Sequence, residues 1–257
     1  MNWNSRKLKG ITQSQTLLIM GIVFLAIFSI IAVPFYQSIK QKETITKLKT
    51  IHSKLFAANW EYATRAYGDI GEFDLTLPLN KFAETYFTPY MDIEHFCKGA
   101  QDDCWNTPQY YDLNGDPVSN KSLYSIVLPD KAVIGFNKTK YNQILIIVDI
   151  NGKAGNNRLG REVFVFNLYN NKIVPQLCSE EHYKESFVKN GIHLGGFDRC
   201  GIPHDLKTYN DLKSNYLDDG CNKDAPINPL GLGIGVGAAC SAYLETSQWT
   251  IDKNYPW

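Results

Sequence analysis

The residues of this chain best suited to chemistry are five histidines and six cysteines. They are His52, His95, His182, His193 and His204, with Cys97, Cys104, Cys178, Cys200, Cys221 and Cys240. No two histidines stand in an HExxH arrangement, so the helix face that would hold a zinc ion and its general base is missing. No G-x-S-x-G elbow exposes a serine nucleophile. Cys200 and His204 could form a thiolate–imidazole pair, but one cysteine of an even set of six reads better as bridged. Asp102 and Asp103 could pose as paired carboxylates, yet adjacent side chains point apart, and a solvated turn is the better reading. The glycines of "GLGIGVGAAC", Gly231, Gly233, Gly235 and Gly237, alternate and do not follow the dinucleotide G-x-G-x-x-G spacing. They read as a surface loop. Asn120 and Asn137 begin N-x-S/T triplets, the glycosylation acceptor pattern, which a chain of this length also matches by coincidence. No acid, base and nucleophile converge, so the chain reads as non-enzymatic, without a cofactor.

One stretch gathers oxygen ligands. In "DINGKAGNNRLGREVFVF", Asp149, Asn151, Asn156 and Asn157 stand among glycines, as in a calcium loop. The stretch lacks the acidic density of an EF-hand and its closing glutamate. Asp, Asn and Gly also make ordinary turns between strands. The turn is the reading adopted, with calcium in the Asp149–Asn157 loop as the alternative.

The six cysteines all follow the apolar run near the amino terminus. An even count confined to one side of a membrane segment points to an oxidising compartment and to disulfides. Local pairing is expected: Cys97–Cys104, Cys178–Cys200 and Cys221–Cys240. The absence of Cys-x-x-Cys argues against a structural zinc. The 257 residues carry 26 basic and 26 acidic side chains, a balance that offers no basic face for nucleic acid.

These groups must be positioned by a membrane-proximal helix and an exported body. From Leu17 to Tyr36 there is no charged residue. At about 1.5 Å per residue this stretch makes about 30 Å of helix, enough to cross a bilayer. Pro34, Phe35 and Tyr36 follow where a removable signal would need small residues. Arg6, Lys7 and Lys9 precede the run and place the amino terminus in the cytoplasm. Beyond Pro34, the residues Ile45, Leu48, Leu55 and Tyr62 recur on one side of a helix. One helix is therefore expected from about Ile11 to Arg65, kinked or not at Pro34. Its first half is apolar all round and its second half is amphipathic.

This amino terminus resembles that of type IV pilins and type II secretion pseudopilins, the prepilin-type cleavage and methylation domain. In that family a basic leader ends in glycine, and a peptidase cuts after it and methylates the new terminus. The resemblance implies cleavage between Gly10 and Ile11, with Thr12 and Gly21 where the family often has Thr and Gly. It also implies partners: a prepilin peptidase and other pilin or pseudopilin subunits. Two positions depart from the pattern. The fifth mature residue, Gln15, stands where the family has an assembly glutamate, and Pro34 falls about two residues late. A carboxylate in hydrocarbon is costly unless its charge is paired, whereas Gln15 can hydrogen-bond but carries no charge, so it suits a minor or tip subunit. The "DxNGxxGxNxxG" loop and the ending "ACSAYLETSQWTIDKNYPW" also resemble pilin-like proteins of gut bacteria.

The body reads as β-rich. "SLYSIVL" and "AVIGFN" flank a "PDK" turn, and "QILIIVDI", "EVFVFNL" and "KIVP" follow. A short helix is expected around Lys81–Tyr90, before a cysteine-closed loop. The fold class is thus α+β and pilin-like: a long amino-terminal helix on four to five antiparallel strands, with a disulfide-bound carboxy-terminal region. The expected divisions are a leader (1–10), a transmembrane and fibre helix (11–36), and an exported head (37–257). The expected location is the bacterial inner membrane, single-pass, with the amino terminus inside and a fibre after assembly. The alternative is an anchored, exported binding protein or hydrolase that does not polymerise.

Overall fold

The computed structural model describes residues 13–67, 73–97, 104, 110–118, 124–138, 144–155, 157–169, 172–175, 221–224 and 236–257. The chain divides into two compact units, 1–43 and 44–257. Helix α1, Gln13–Tyr67, runs through both, and Pro34 lies inside it. Pro34 has no N–H to offer the Ile30 carbonyl, yet the helix continues on either side.

Among the described residues of the first unit, α1 is the one element. Its large apolar side chains are open to solvent, with Phe24 71% and Ile30 72% exposed. It is long and apolar enough to cross a membrane, and none of its most apolar window is buried within the chain. At its polar end Lys40 pairs with Glu43 at 3.5 Å and lies over the Tyr36 ring.

In the second unit the same helix changes character. Leu48, Ile51, Leu55, Ala58 and Tyr62 are buried, at the three- and four-residue steps that keep one face inward. That face joins one continuous core with the sheet. Phe73 and helix α2, Leu79–Tyr86, close the core with stacked and edge-on rings around Tyr62. The helix expected over Lys81–Tyr90 is split. α2 stops at Phe87, and a single 3-10 turn covers Thr88–Tyr90. Pro89 explains the break, because it cannot donate to the carbonyl four residues back.

The main sheet has six strands: β1 His95–Cys97, β4 Tyr124–Val127, β5 Val133–Lys138, β6 Ile144–Asp149, β7 Val163–Tyr169 and β8 Lys172–Pro175. They run in that order, every neighbour antiparallel. The count exceeds the four to five expected because β1, in the segment read as a cysteine-closed loop, pairs with β4. The outermost strands, β1 and β8, are three and four residues long. The "PDK" turn closes β4 onto β5, with Lys131 at φ 69° and its N–H donating to the Leu128 carbonyl.

The sheet is buried on both faces. Along β6, Ile144, Ile146 and Val148 face the α1 side, while Leu145 and Ile147 join a second cluster. β7 alternates in the same way, with Phe164 and Phe166 against Val163 and Val165. The second cluster is completed by Leu159, Ala238 and a small ribbon, β2 Tyr110–Tyr111 and β3 Pro117–Val118. A last helix, α3 Cys240–Thr246, packs beside β7 and β8.

Candidate functional site

Two features carry the residues singled out by sequence. The first is the apolar half of α1. Gln15 lies in its first described turn and is exposed. Gly10 and Ile11 lie outside the described residues.

The second is the β6–β7 connection. Asp149 ends β6 and is fully buried, paired across to Val133 of β5. Its Oδ1 accepts the N–H groups of Asn151 at 3.1 Å and Gly152 at 2.9 Å, folding the chain back at once. Gly152 is required there. Its φ is +55°, and a Cβ would sit 2.1 Å from the Lys131 carbonyl oxygen. Further along, the Asn157 carbonyl accepts the Tyr111 N–H at 2.8 Å, and the Leu159 N–H returns to the Tyr111 carbonyl at 2.8 Å. The loop is therefore stitched to the β2–β3 ribbon. Tyr255 donates its hydroxyl to the Gly160 carbonyl, which ties the last residues of the chain to the same place.

The electrostatics of this loop are unusual. Burial pushes the Asp149 carboxyl up to about 8, against the two backbone hydrogen bonds that favour its charge, and the Glu162 carboxylate raises it further. Burial also raises Glu162, while the Arg158 N–H and the guanidinium groups of Arg161 and Arg158 pull it back. The Asn157 side chain also hydrogen-bonds the Asp149 carboxylate and favours its charged form. Asn151 Oδ1 and Asn157 Oδ1 are buried atoms that accept no hydrogen bond among the described residues. Sequence reading named Asp149, Asn151 and Asn157. It missed Glu162, whose signal was its place just before the "VFVF" strand that pairs with β6. Asn156, also named, lies outside the described residues.

The cysteines join locally. Cys97 bonds to Cys104 and Cys221 to Cys240. Cys178 and Cys200 lie outside the described residues, as do His204, Asp102, Asp103, Asn120, Gly231, Gly233 and Gly235. His95 lies within 4.8 Å of the Cys97 and Cys104 sulfurs. The disulfide leaves those sulfurs no thiolate for a metal. Asn137 is buried in β5, which no glycan could reach. His52 is wedged between the rings of Phe166 and Trp249, with its Nε2 buried and without a hydrogen-bond partner among the described residues.

A comparison with family models, with curated proteins and with solved structures finds no match to this chain.

Proposed function

We propose that the chain is a structural subunit, minor or at the tip, of a type IV pilus-like or type II secretion pseudopilus fibre. The observation that carries this reading is one helix with two characters. Residues up to about Tyr36 offer an exposed apolar surface, and the turns from Leu48 to Tyr62 are built into the core of the head. A plain anchor has no need of a continuous helix seated in its domain. A subunit that must transmit packing forces from bundled helices to its head does need one.

The mechanism is packing. A prepilin peptidase cuts after Gly10 and methylates Ile11. The apolar half of α1 then leaves lipid for a bundle of like helices, where its side chains contact each other. Before assembly the chain spans the bacterial inner membrane once, with the amino terminus in the cytoplasm. The disulfides Cys97–Cys104 and Cys221–Cys240 suit a head on the oxidising side.

The test is the amino-terminal residue of protein purified from its native membrane. An N-methylated Ile11 supports the reading, and an intact Met1 without fibre association overturns it. The second reading, an anchored binding protein that stays single, is favoured by Gln15 in place of glutamate. A Gln15→Glu variant that enters fibres no more readily than the parent would show that the missing charge does not limit assembly.

A further inference from the structure

The last turn before β7 holds two arginines that the fold leaves without an ion-pair partner. The Arg158 carbonyl accepts the N–H groups of Arg161, Glu162 and Val163 at 3.1, 3.0 and 3.0 Å. Within the turn Gly160 adopts φ +73°, and a Cβ there would stand 2.7 Å from Cys240 Sγ. Glycine thus lets the turn lie against the Cys221–Cys240 disulfide. The Tyr255 hydroxyl holds the same glycine through its carbonyl. Arg158 and Arg161 therefore leave a pinned base, three positions apart. Both side chains are half-buried. Their Nε atoms are covered and donate to nothing among the described residues. Their terminal amines are not covered, and they enter no ion pair among the described residues. The Arg158 fork lies over the β2–β3 turn, where a Cβ on Gly115 would be 3.5 Å from Nη2. Burial, and then the Arg158 charge, holds the Arg161 guanidinium below its ordinary value, against Glu162 and Tyr255. Glu162 is the one carboxylate among these influences, and its Oε2 accepts the Arg158 backbone N–H at 3.3 Å. Two cations thus share one carboxylate, whose charged form burial disfavours.

We propose that Arg158 and Arg161 form an anion site for a phosphate oxyanion, free or as a phosphate ester. A surface arginine normally gives up much rotamer freedom when it takes a ligand. Here the covered Nε atoms show that the stems are already packed, so less freedom remains to be lost. Each guanidinium is a planar fork that matches a pair of oxygens. A carboxylate has two oxygens and is used up by one fork. A phosphate ester offers three acceptor oxygens and close to two negative charges at neutral pH, so it can engage both forks and answer both cations. Half-burial of the two side chains weakens the competition from water and salt that makes fully exposed charges poor receptors. The inference does not depend on fibre assembly.

The test uses the full chain in a non-ionic detergent and a phosphate-free buffer. Inorganic phosphate is titrated by calorimetry, against sodium acetate and sodium chloride of equal ionic strength. Phosphate should bind at least about tenfold more tightly than acetate, which can satisfy one fork only. Arg158→Gln and Arg161→Gln should each lose about tenfold or more, as expected when a hydrogen bond to a charged group is removed. Arg161→Lys keeps the charge without the fork and should recover little of the loss. Near-ultraviolet circular dichroism of each variant checks that the head is folded. A second measurement needs no variant. Phenylglyoxal labels accessible arginines of the parent chain, and bound phosphate should protect Arg158 and Arg161 while the remaining arginines keep their rates. The same labelling in phosphatidylcholine vesicles with and without phosphatidic acid separates the sources. Protection by inorganic phosphate supports the site with a soluble ligand, and protection by phosphatidic acid alone supports it with a lipid headgroup. Protection from neither source overturns the proposal. So does equal protection by acetate, or phosphate binding that survives in both glutamine variants.

Discussion

Replacing Leu55 by alanine tests the two characters of α1 directly. Leu55 is fully buried between Ile51 and Ala58 on the face that meets the sheet core. The substitution removes three carbons from water-free contact, about 2.4 kcal/mol at about 0.8 kcal/mol per buried methylene. The cavity left behind brings the expected cost to about 2–5 kcal/mol. For a head of this size each kcal/mol lowers the midpoint by about 2–4 °C, so the shift should be about 4–20 °C. Leu25→Ala is the matched control: the same chemistry on the same helix, but at a leucine 64% exposed. It should leave the unfolding of the head within about 0.5 kcal/mol of the parent. The assay is urea unfolding of the full chain in detergent, followed by near-ultraviolet circular dichroism, which reports the packed aromatic rings. If Leu55→Ala costs less than about 0.5 kcal/mol, or if Leu25→Ala costs as much, the division of the helix into an exposed half and a seated half is wrong.

Gly152→Ala should destabilise the chain by more than about 2 kcal/mol, because the new Cβ meets the Lys131 carbonyl and φ is +55°; a urea midpoint unchanged within error would refute the turn geometry. Burial holds the His52 imidazole below its ordinary value. The unfolded chain therefore takes up the proton first as pH falls through about 6.5, and stability declines from there until the folded group also titrates, at up to about 1.4 kcal/mol per pH unit. His52→Phe should flatten the loss of stability between pH 7 and pH 5.5, and equal slopes in the two proteins would count against a neutral buried imidazole. Removing the Cys221–Cys240 bond by Cys221→Ser with Cys240→Ser should cost about 3 kcal/mol, the loop-closure value for a separation of 19 residues. The readout is the urea midpoint against the parent, and an unchanged midpoint would mean the bond does not constrain the unfolded chain.

Much of this architecture could be read where local pattern and tertiary environment agree. The stripe Ile45, Leu48, Leu55, Tyr62 is one face of a helix, and it is the inward face, with Ile45 half-buried at its edge and the other three buried. The β-branched runs that became β4, β5, β6, β7 and β8 announce strands because such side chains fit a pleated surface. β1 was invisible because three residues, His95, Phe96 and Cys97, are too few to show alternation. Pairing with β4 makes them a strand. The covered second face had a signal that went unused. "ILIIV" and "VFVF" are unbroken apolar runs, as expected of strands buried on both sides. The ribbon that covers them has strands of two residues, below what any periodicity can reveal. In the β6–β7 loop the ligand types were legible, whereas the orphaned oxygens and the approach of Glu162 arise only once β6 and β7 are paired.

The brevity of β1 and β8 has a consequence for the fibre subunit proposed above, which would be held at high local concentration among copies of itself. An open sheet invites other chains to add strands along its margins, and long bare margins seed irreversible aggregates. Here the margins are about 10 and about 13 Å long at about 3.3 Å per residue. One stops at a proline that has no N–H, and the other stops where Cys97 is tied into its disulfide. In the proposed fibre, neighbouring heads would crowd together without annealing through their backbones, and cohesion between copies would be left to the apolar helix.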